Sequence, residues 1–217
     1  IFSRDIRAAE TAKAIENIQR DINIALTNEI LLICKKLKIN FNEVVRLAET
    51  KWNFLKFTPG LVGGHCLPID PYYLSNIAAK NNFKTKIILT GRNVNDNMEN
   101  YVISELTKFL KKKNKNLKNS KILIIGISYK SGIADMRNSI NFKIFKKLKN
   151  SNFRVAAYDK FLTDEIKKDY KVLDTINSKN NYDAIIFLSK HADFKKQYLK
   201  LIKNNNDKIL DPFNYYS

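Results

Sequence analysis

Lys121-Ile122-Leu123-Ile124-Ile125-Gly126-Ile127 carries a continuous, mostly β-branched apolar run from Ile122 that ends in glycine. A strand that is apolar at every position has no solvent face, so it belongs inside a parallel sheet covered on both sides. Downstream the texture alternates. The sequence predicts a helix over 139–150, a strand over Arg154–Tyr158, a helix near 163–169, and strands over Asp183–Leu188 and Lys208–Leu210. Such alternation builds a doubly wound α/β domain with a Rossmann-like parallel sheet, which takes ligands at the carboxyl ends of its strands. The turn after the first strand reads Gly126-Ile127-Ser128-Tyr129-Lys130 and lacks the Gly-x-Gly-x-x-Gly fingerprint of dinucleotide binding.

Upstream of Lys121 the periodicity is helical. Ile15, Ile18, Ile22, Leu26, Ile30, Ile33 and Leu37 recur at steps of three and four, which predicts one long helix over 8–38 with an apolar stripe. At about 100° per residue, Lys13, Asn17 and Arg20 share the opposite face, an arrangement that is ordinarily just solvated. Asn42 is expected to cap a short helix ending at Leu47. A further helix is expected from Asp70 or Pro71 to about Asn81, and a second long one over Thr85–Lys113. The chain therefore divides into a helical domain over 1–100, the end of a linking helix with a linker over 101–120, and an α/β domain over 121–217.

Between the helices lies Pro59-Gly60-Leu61-Val62-Gly63-Gly64-His65-Cys66-Leu67-Pro68-Ile69-Asp70-Pro71. Three glycines in five positions let a ligand approach the backbone closely. Asp70-Pro71 reads as an N-cap followed by proline at the first helical position. A thiol near a helix N-terminus is favoured as thiolate, the nucleophilic form. The alternative is a tight turn with a small buried thiol.

The length of 217 residues suffices for one large or two modest cores. The chain opens on Ile1 and not on methionine, as a fragment of a longer polypeptide would. Arg4, Asp5 and Arg7 interrupt any signal-peptide run, and no stretch approaches the ~20 apolar residues that span a bilayer. The net charge of +18 is spread along the whole chain beside abundant asparagine and isoleucine, without a nucleic-acid module. We therefore expect neither nucleic acid nor membrane as a partner. Cys34 and Cys66 stand in unlike contexts and do not suggest a disulfide framework, so a reducing cytoplasm suits this chain.

The loop and Tyr72-Tyr73-Leu74 after it resemble the active-site signature of the UDP-glucose/GDP-mannose dehydrogenase family, the nucleotide-sugar 6-dehydrogenases. Thr50-Lys51-Trp52-Asn53-Phe54 is most similar to the branch oxidising UDP-N-acetylhexosamines. Ala9 to Glu29 resembles the family's central helix, and Gly126 to Ser139 resembles the opening of its UDP-binding domain. The resemblance implies NAD-dependent, four-electron oxidation of the sugar C6 alcohol to an acid, through a thiohemiacetal and a thioester on Cys66. It implies Lys13 with Asn17 for oxyanions and protons, and Asp70 for orienting water. Arg20, Lys51, Phe54, Lys56, Gly63 and Lys130 would hold the UDP-sugar, and Arg137 would reach the NAD pyrophosphate. It also implies a homodimer through the long helix of 8–38.

Two departures stand out. The resemblance covers nearly all of this chain but only the back half of the family's enzyme, without its N-terminal NAD-binding domain. The alternative function is accordingly a UDP-sugar-binding fragment that is catalytically silent. Phe213, in Asp211-Pro212-Phe213-Asn214, stands where many relatives carry an arginine for the substrate. No metal is expected: His65, Cys66, Asp70 and His191 lack ligand spacing.

Overall fold

A computed structural model describes residues 2, 4–115, 117–130, 132–176 and 181–216. Ile1, where the chain opens, and Ser131, within the Gly126–Ser139 motif, lie outside the described residues. The chain forms two compact units, Ile1–Met98 and Glu99–Ser217. The division falls inside a long helix that supplies residues to both.

The first unit contains α1 (Ile6–Leu37), α2 (Phe41–Ala48), α3 (Asp70–Lys80) and the first half of α4 (Ile87–Lys112). Asp5 caps α1, its side chain accepting from the Arg7 N–H, and Lys38 ends the helix in the left-handed conformation. Asn40, not Asn42, caps α2: its side chain accepts from the Glu43 N–H at 3.2 Å. An acceptor satisfies that orphan donor only from the residue just outside the helix.

The apolar stripe predicted for α1 packs only in part: Ile18 is buried and Ile22 and Ile30 are half-buried. Ile15, Leu26, Ile33 and Leu37 are exposed, whereas Asn17, Ile18, Asp21, Ala25, Asn28, Leu31 and Cys34 are buried. Those buried positions also recur at helical spacing. The packed face of α1 is thus partly polar, and Asn17 lies on it, not on a solvated face with Lys13 and Arg20.

The second unit carries the parallel sheet. Its strands are β1 (Lys121–Ile125), β2 (Arg154–Tyr158), β3 (Ala184–Phe187) and β4 (Ile209–Leu210), in the order β2-β1-β3-β4. β1 is buried from Ile122 onward and β3 throughout, as expected for central parallel strands. The connecting helices are α5 (Ile140–Lys149), α6 (Asp164–Tyr170) and α7 (Ala192–Asn205). Ser139 and Thr163 cap α5 and α6 through their side-chain oxygens. The sequence reading leaves α7 unassigned. It is capped by His191, whose Nδ1 accepts from the Asp193 N–H at 3.1 Å, and it buries Phe194, Tyr198 and Leu201 against β1 and β3 residues.

The strand order reverses between β1 and β3, the switch point where open α/β sheets take ligands. Gly126 ends β1 there with φ +85°. A Cβ at this position would stand 2.7 Å from Ser189 Cβ and 3.0 Å from the Phe194 ring. Gly126→Ala should combine left-handed strain with overpacking, a loss of about 2–4 kcal/mol read by thermal or denaturant unfolding. An unchanged melt would refute the close approach.

Buried groups shape the backbone at this switch point. Asp159 is fully buried and accepts from Ile127 N–H and Ser128 N–H, both at 2.9 Å, and from Phe161 N–H at 3.1 Å. Asn141 donates to Gly126 O and Ser128 O at 3.2 Å and to Ser189 Oγ at 2.8 Å. Phe213, the departure noted in the sequence, is fully buried and stacks on Tyr215 with ring centroids 5.2 Å apart. It is a core residue here.

Candidate active site

The thiol loop runs from Pro59 to Ile69 and is tied down at both ends by asparagines of α1. At the far end, Asn17 Nδ2 donates to Asp70 Oδ2 at 2.7 Å. At the near end, Asn28 Oδ1 accepts from Gly60 N–H at 2.8 Å and Asn28 Nδ2 donates to Gly60 O at 3.0 Å. Asn17 and Asn28 are eleven residues apart, three helical turns, so they share one face. Inside the loop Gly64 takes φ +97°, a conformation that a side chain would disfavour.

Asp70 is not the cap of α3. It is the first helical residue, Ile69 occupies the cap position, and no side chain caps this end. Pro71 follows and has no N–H to satisfy. The Asp70 carboxylate, released from capping, faces Asn17 instead. Cys66 is exposed, and its carbonyl accepts from Ile69 N–H at 3.0 Å and Asp70 N–H at 2.9 Å, closing the turn into α3. Cys34, by contrast, is buried in α1.

Lys13 and Arg20 project from α1 into solvent, and both pair with Glu16 between them, Arg20 Nη2 at 2.7 Å. The hydrogen bond and charge of Glu16 raise the Lys13 pKa. Lys13 is therefore a standing cation one helical turn before Asn17 on α1, suited to stabilising an anion. Glu16, lowered by the same lysine, is the partner of two candidate residues and is absent from the sequence-based expectation. Its signal was the i,i+3 and i,i+4 spacing to two cations.

The other predicted positions divide. Gly63 is half-buried in the loop, and Phe54 is partly exposed with its N–H on the Lys51 carbonyl at 3.1 Å. Lys51 is exposed, and Lys56 pairs with Glu49. In the second unit Lys130 is exposed on the loop after β1, and Arg137 is exposed with its guanidinium on Asp135 at 2.8 Å. Thus Asn17 and Asp70 meet at the Cys66 turn, with Lys13 one helical turn before Asn17 on α1, while Lys130 and Arg137 stand on the switch-point segment of the α/β unit.

Behind the loop lies a buried polar network absent from the sequence reading. Arg92 pairs with Asp21, both 1% exposed in their side chains, and donates to Asp96 Oδ1 at 3.0 Å. Asn95 Nδ2 donates to Asp21 Oδ1 at 2.8 Å, and its own Oδ1 accepts from Asn28 at 2.9 Å. Asp21 Oδ2 is buried without a hydrogen-bond partner. Burial raises the Asp21 pKa against the opposing pull of Arg92. Among the described residues no cluster of three or more His, Cys, Asp or Glu could hold a metal ion, and no helix is long and apolar enough to cross a membrane.

A helical unit presenting a thiol loop, followed by a parallel α/β unit, is the domain pair of one family. Residues 7–97 match the central domain and residues 123–217 the UDP binding domain of the UDP-glucose/GDP-mannose dehydrogenase family, and the chain belongs to that family. It is 42% identical over 196 residues to UDP-N-acetyl-D-glucosamine 6-dehydrogenase of Salmonella typhi, covering 89% of this chain and 46% of that protein. It is 36% identical over 211 residues to UDP-N-acetyl-D-mannosamine dehydrogenase of Methanocaldococcus jannaschii, covering 96% and 46%. The solved structure of UDP-D-ManNAc dehydrogenase from Pyrococcus horikoshii superposes with TM-score 0.81 at 31% identity, over 97% of this chain and 49% of that one. The chain spans about half the length of the curated relatives it matches.

Proposed function

We propose that the chain carries the thiol and UDP-sugar sites of an NAD-dependent 6-dehydrogenase acting on a UDP-N-acetylhexosamine, in the reducing cytoplasm, for surface-polysaccharide precursors. The observation that carries this reading is the Asn17–Asp70 hydrogen bond at the turn that presents the exposed Cys66, with Lys13 one helical turn before Asn17. NAD, when bound, accepts the hydride in each of the two oxidations. Arg137 fits one contact to it, an exposed guanidinium able to meet pyrophosphate. The switch point of the α/β unit does not fit a dinucleotide, because Asp159 occupies the N–H groups of Ile127 and Ser128.

After the first oxidation the Cys66 thiolate adds to the C6 aldehyde, and the Lys13 cation stabilises the resulting oxyanion. After the second oxidation the carbon is a thioester. Asp70, oriented by Asn17, positions the water that cleaves it and takes up a proton. The Cys66 sulfur leaves as thiolate beside Lys13. Arg20, Lys51, Phe54, Lys56, the Gly63 backbone and Lys130 hold the sugar nucleotide.

The exposed residues Ile15, Leu26, Ile33 and Leu37 fall on one face of α1, at steps of 11, 7 and 4. They support a homodimer through this helix. Leu26→Glu should shift the mass measured by light scattering from dimer to monomer, and a monomeric wild type would exclude the dimer.

A second reading is a UDP-sugar-binding unit without turnover, supported by the match of residues 123–217 to the family's UDP binding domain. Calorimetry on the 217-residue chain tests the common part. UDP or a UDP-sugar should bind weakly and NAD hardly at all, and Lys130→Ala should weaken UDP about tenfold by loss of a charge-assisted contact. Tight NAD binding with no response to UDP would overturn the assignment.

A further inference from the structure

We propose that Asn28 is a positioning residue for the Cys66 loop, oriented by a relay that starts at the buried Arg92–Asp21 pair. The proposal rests on the reading of Cys66 as the site thiol and names a device that sets its place relative to Lys13. Asn28 is 0% exposed, and its amide pairs with both main-chain groups of Gly60 as a neighbouring strand would. No other side chain of α1 is bonded to the near end of the loop by two such contacts among the described residues.

Hydrogen-bond polarity fixes which way the amide faces. Arg92 and Asn95 Nδ2 both donate to Asp21 Oδ1. Asn95 must therefore turn its carbonyl oxygen toward Asn28, where it accepts at 2.9 Å. That acceptor selects the NH2 side of Asn28, whose nitrogen also reaches Gly60 O, and leaves Asn28 Oδ1 for Gly60 N–H. Reversing any amide would set donor against donor in a site without solvent, leaving desolvated groups uncompensated. The loop between Gly60 and Asp70 is thereby held to α1, the same helix that carries Lys13.

The consequence concerns the charge that Cys66 experiences. Asn28 at one end and Asn17 at the other hold the loop to α1, so the Cys66 turn stays at the Asn17 end of the helix, one helical turn from Lys13. Loosening Gly60 should let the thiol drift from the Lys13 cation without removing either group.

The ratio of alkylation rates of Cys66 by iodoacetate and iodoacetamide reads this directly, because thiolate fraction and access affect both reagents while local positive charge favours the anionic one. Peptide mapping assigns the label, since Cys34 is buried. Lys13→Met should lower the ratio by about two- to fivefold, the scale of one nearby exposed charge. Asn28→Ala should lower it by a comparable factor, and adding Asn28→Ala to Lys13→Met should change it little further. Leu31→Ala, a buried truncation on the same face, should lower the melting temperature and leave the ratio unchanged. Asn95→Ala, which removes the orienting acceptor but keeps the Gly60 contact, should give an intermediate ratio and serves if Asn28→Ala does not fold. A ratio unmoved by the asparagine variants while Lys13→Met lowers it would overturn the clamp. A ratio unmoved even by Lys13→Met would overturn the placing of Lys13 at the thiol, and the clamp with it. Neither outcome depends on turnover, so failure of the dehydrogenase reading itself is distinguished by the Cys66→Ser assay.

Discussion

Cys66→Ser is expected to leave UDP-sugar affinity nearly unchanged and to cut turnover by several orders of magnitude, in a polypeptide joining these residues to an NAD-binding domain of a relative. The swap keeps volume and a hydroxyl, and the main-chain contacts of Cys66 to Ile69 and Asp70 do not involve its sulfur. Serine has no base assigned to its own hydroxyl: Lys13 is held as a cation by Glu16, and Asp70, bonded to Asn17, serves the hydrolytic water. Its hydroxyl therefore stays protonated and far less nucleophilic than a thiolate. Loss of a single acid/base group typically costs ~10²–10⁴-fold, and loss of the nucleophile should exceed that. Asp70→Asn should instead slow thioester hydrolysis, so that mass spectrometry finds a sugar-nucleotide adduct on the Cys66 peptide. An adduct on Cys34, or near wild-type turnover of Cys66→Ser, would exclude the mechanism.

Arg92→Leu is expected to be the most destabilising substitution in the helical unit. It leaves the Asp21 carboxylate buried without its cation, a loss of about 3–5 kcal/mol for pairs of this kind. Asp21→Asn in the Arg92→Leu background should recover much of it, since the charge needing compensation is gone. The sign with pH follows from burial, which raises the folded pKa of Asp21 above its unfolded value. The folded state then binds the proton more readily, so stability from this group is fully present at low pH. It is lost as pH rises from the usual carboxylate range, about 4, through the folded value. Removing Arg92 extends that window upward. Denaturant melts should therefore show a larger deficit for Arg92→Leu at about pH 8 than at about pH 5. An equal deficit at both would mean that lost packing and not the charge dominates.

The α/β unit was legible because its signals are local. An all-apolar run such as Ile122–Ile125 has one comfortable environment, and Ser139 and Thr163 announce the helices they cap. α7 escaped because its cap is a histidine and its buried positions are interspersed with lysines. The active-site loop was legible as a motif, and the comparison with relatives agrees on the family. Its anchoring was not legible. Counting apolar residues at helical spacing picks out seven positions, of which Ile18 is buried and Ile15, Leu26, Ile33 and Leu37 are exposed, while it passes over the buried Asn17, Asp21 and Asn28.

The sequence by itself determined the two kinds of unit, the parallel sheet, the thiol loop and the family to which they belong. These follow from strand-length apolar runs, helical periods and a motif of consecutive residues, all properties of neighbours along the chain. Only the tertiary structure decided which face of α1 packs, that Asp70 serves Asn17 and does not cap α3, and that Asn28 holds Gly60. A buried amide or carboxylate is tolerable only when a partner distant in sequence completes its hydrogen bonds. For Asn28 that partner is 32 residues away and for Asp21 it is 71.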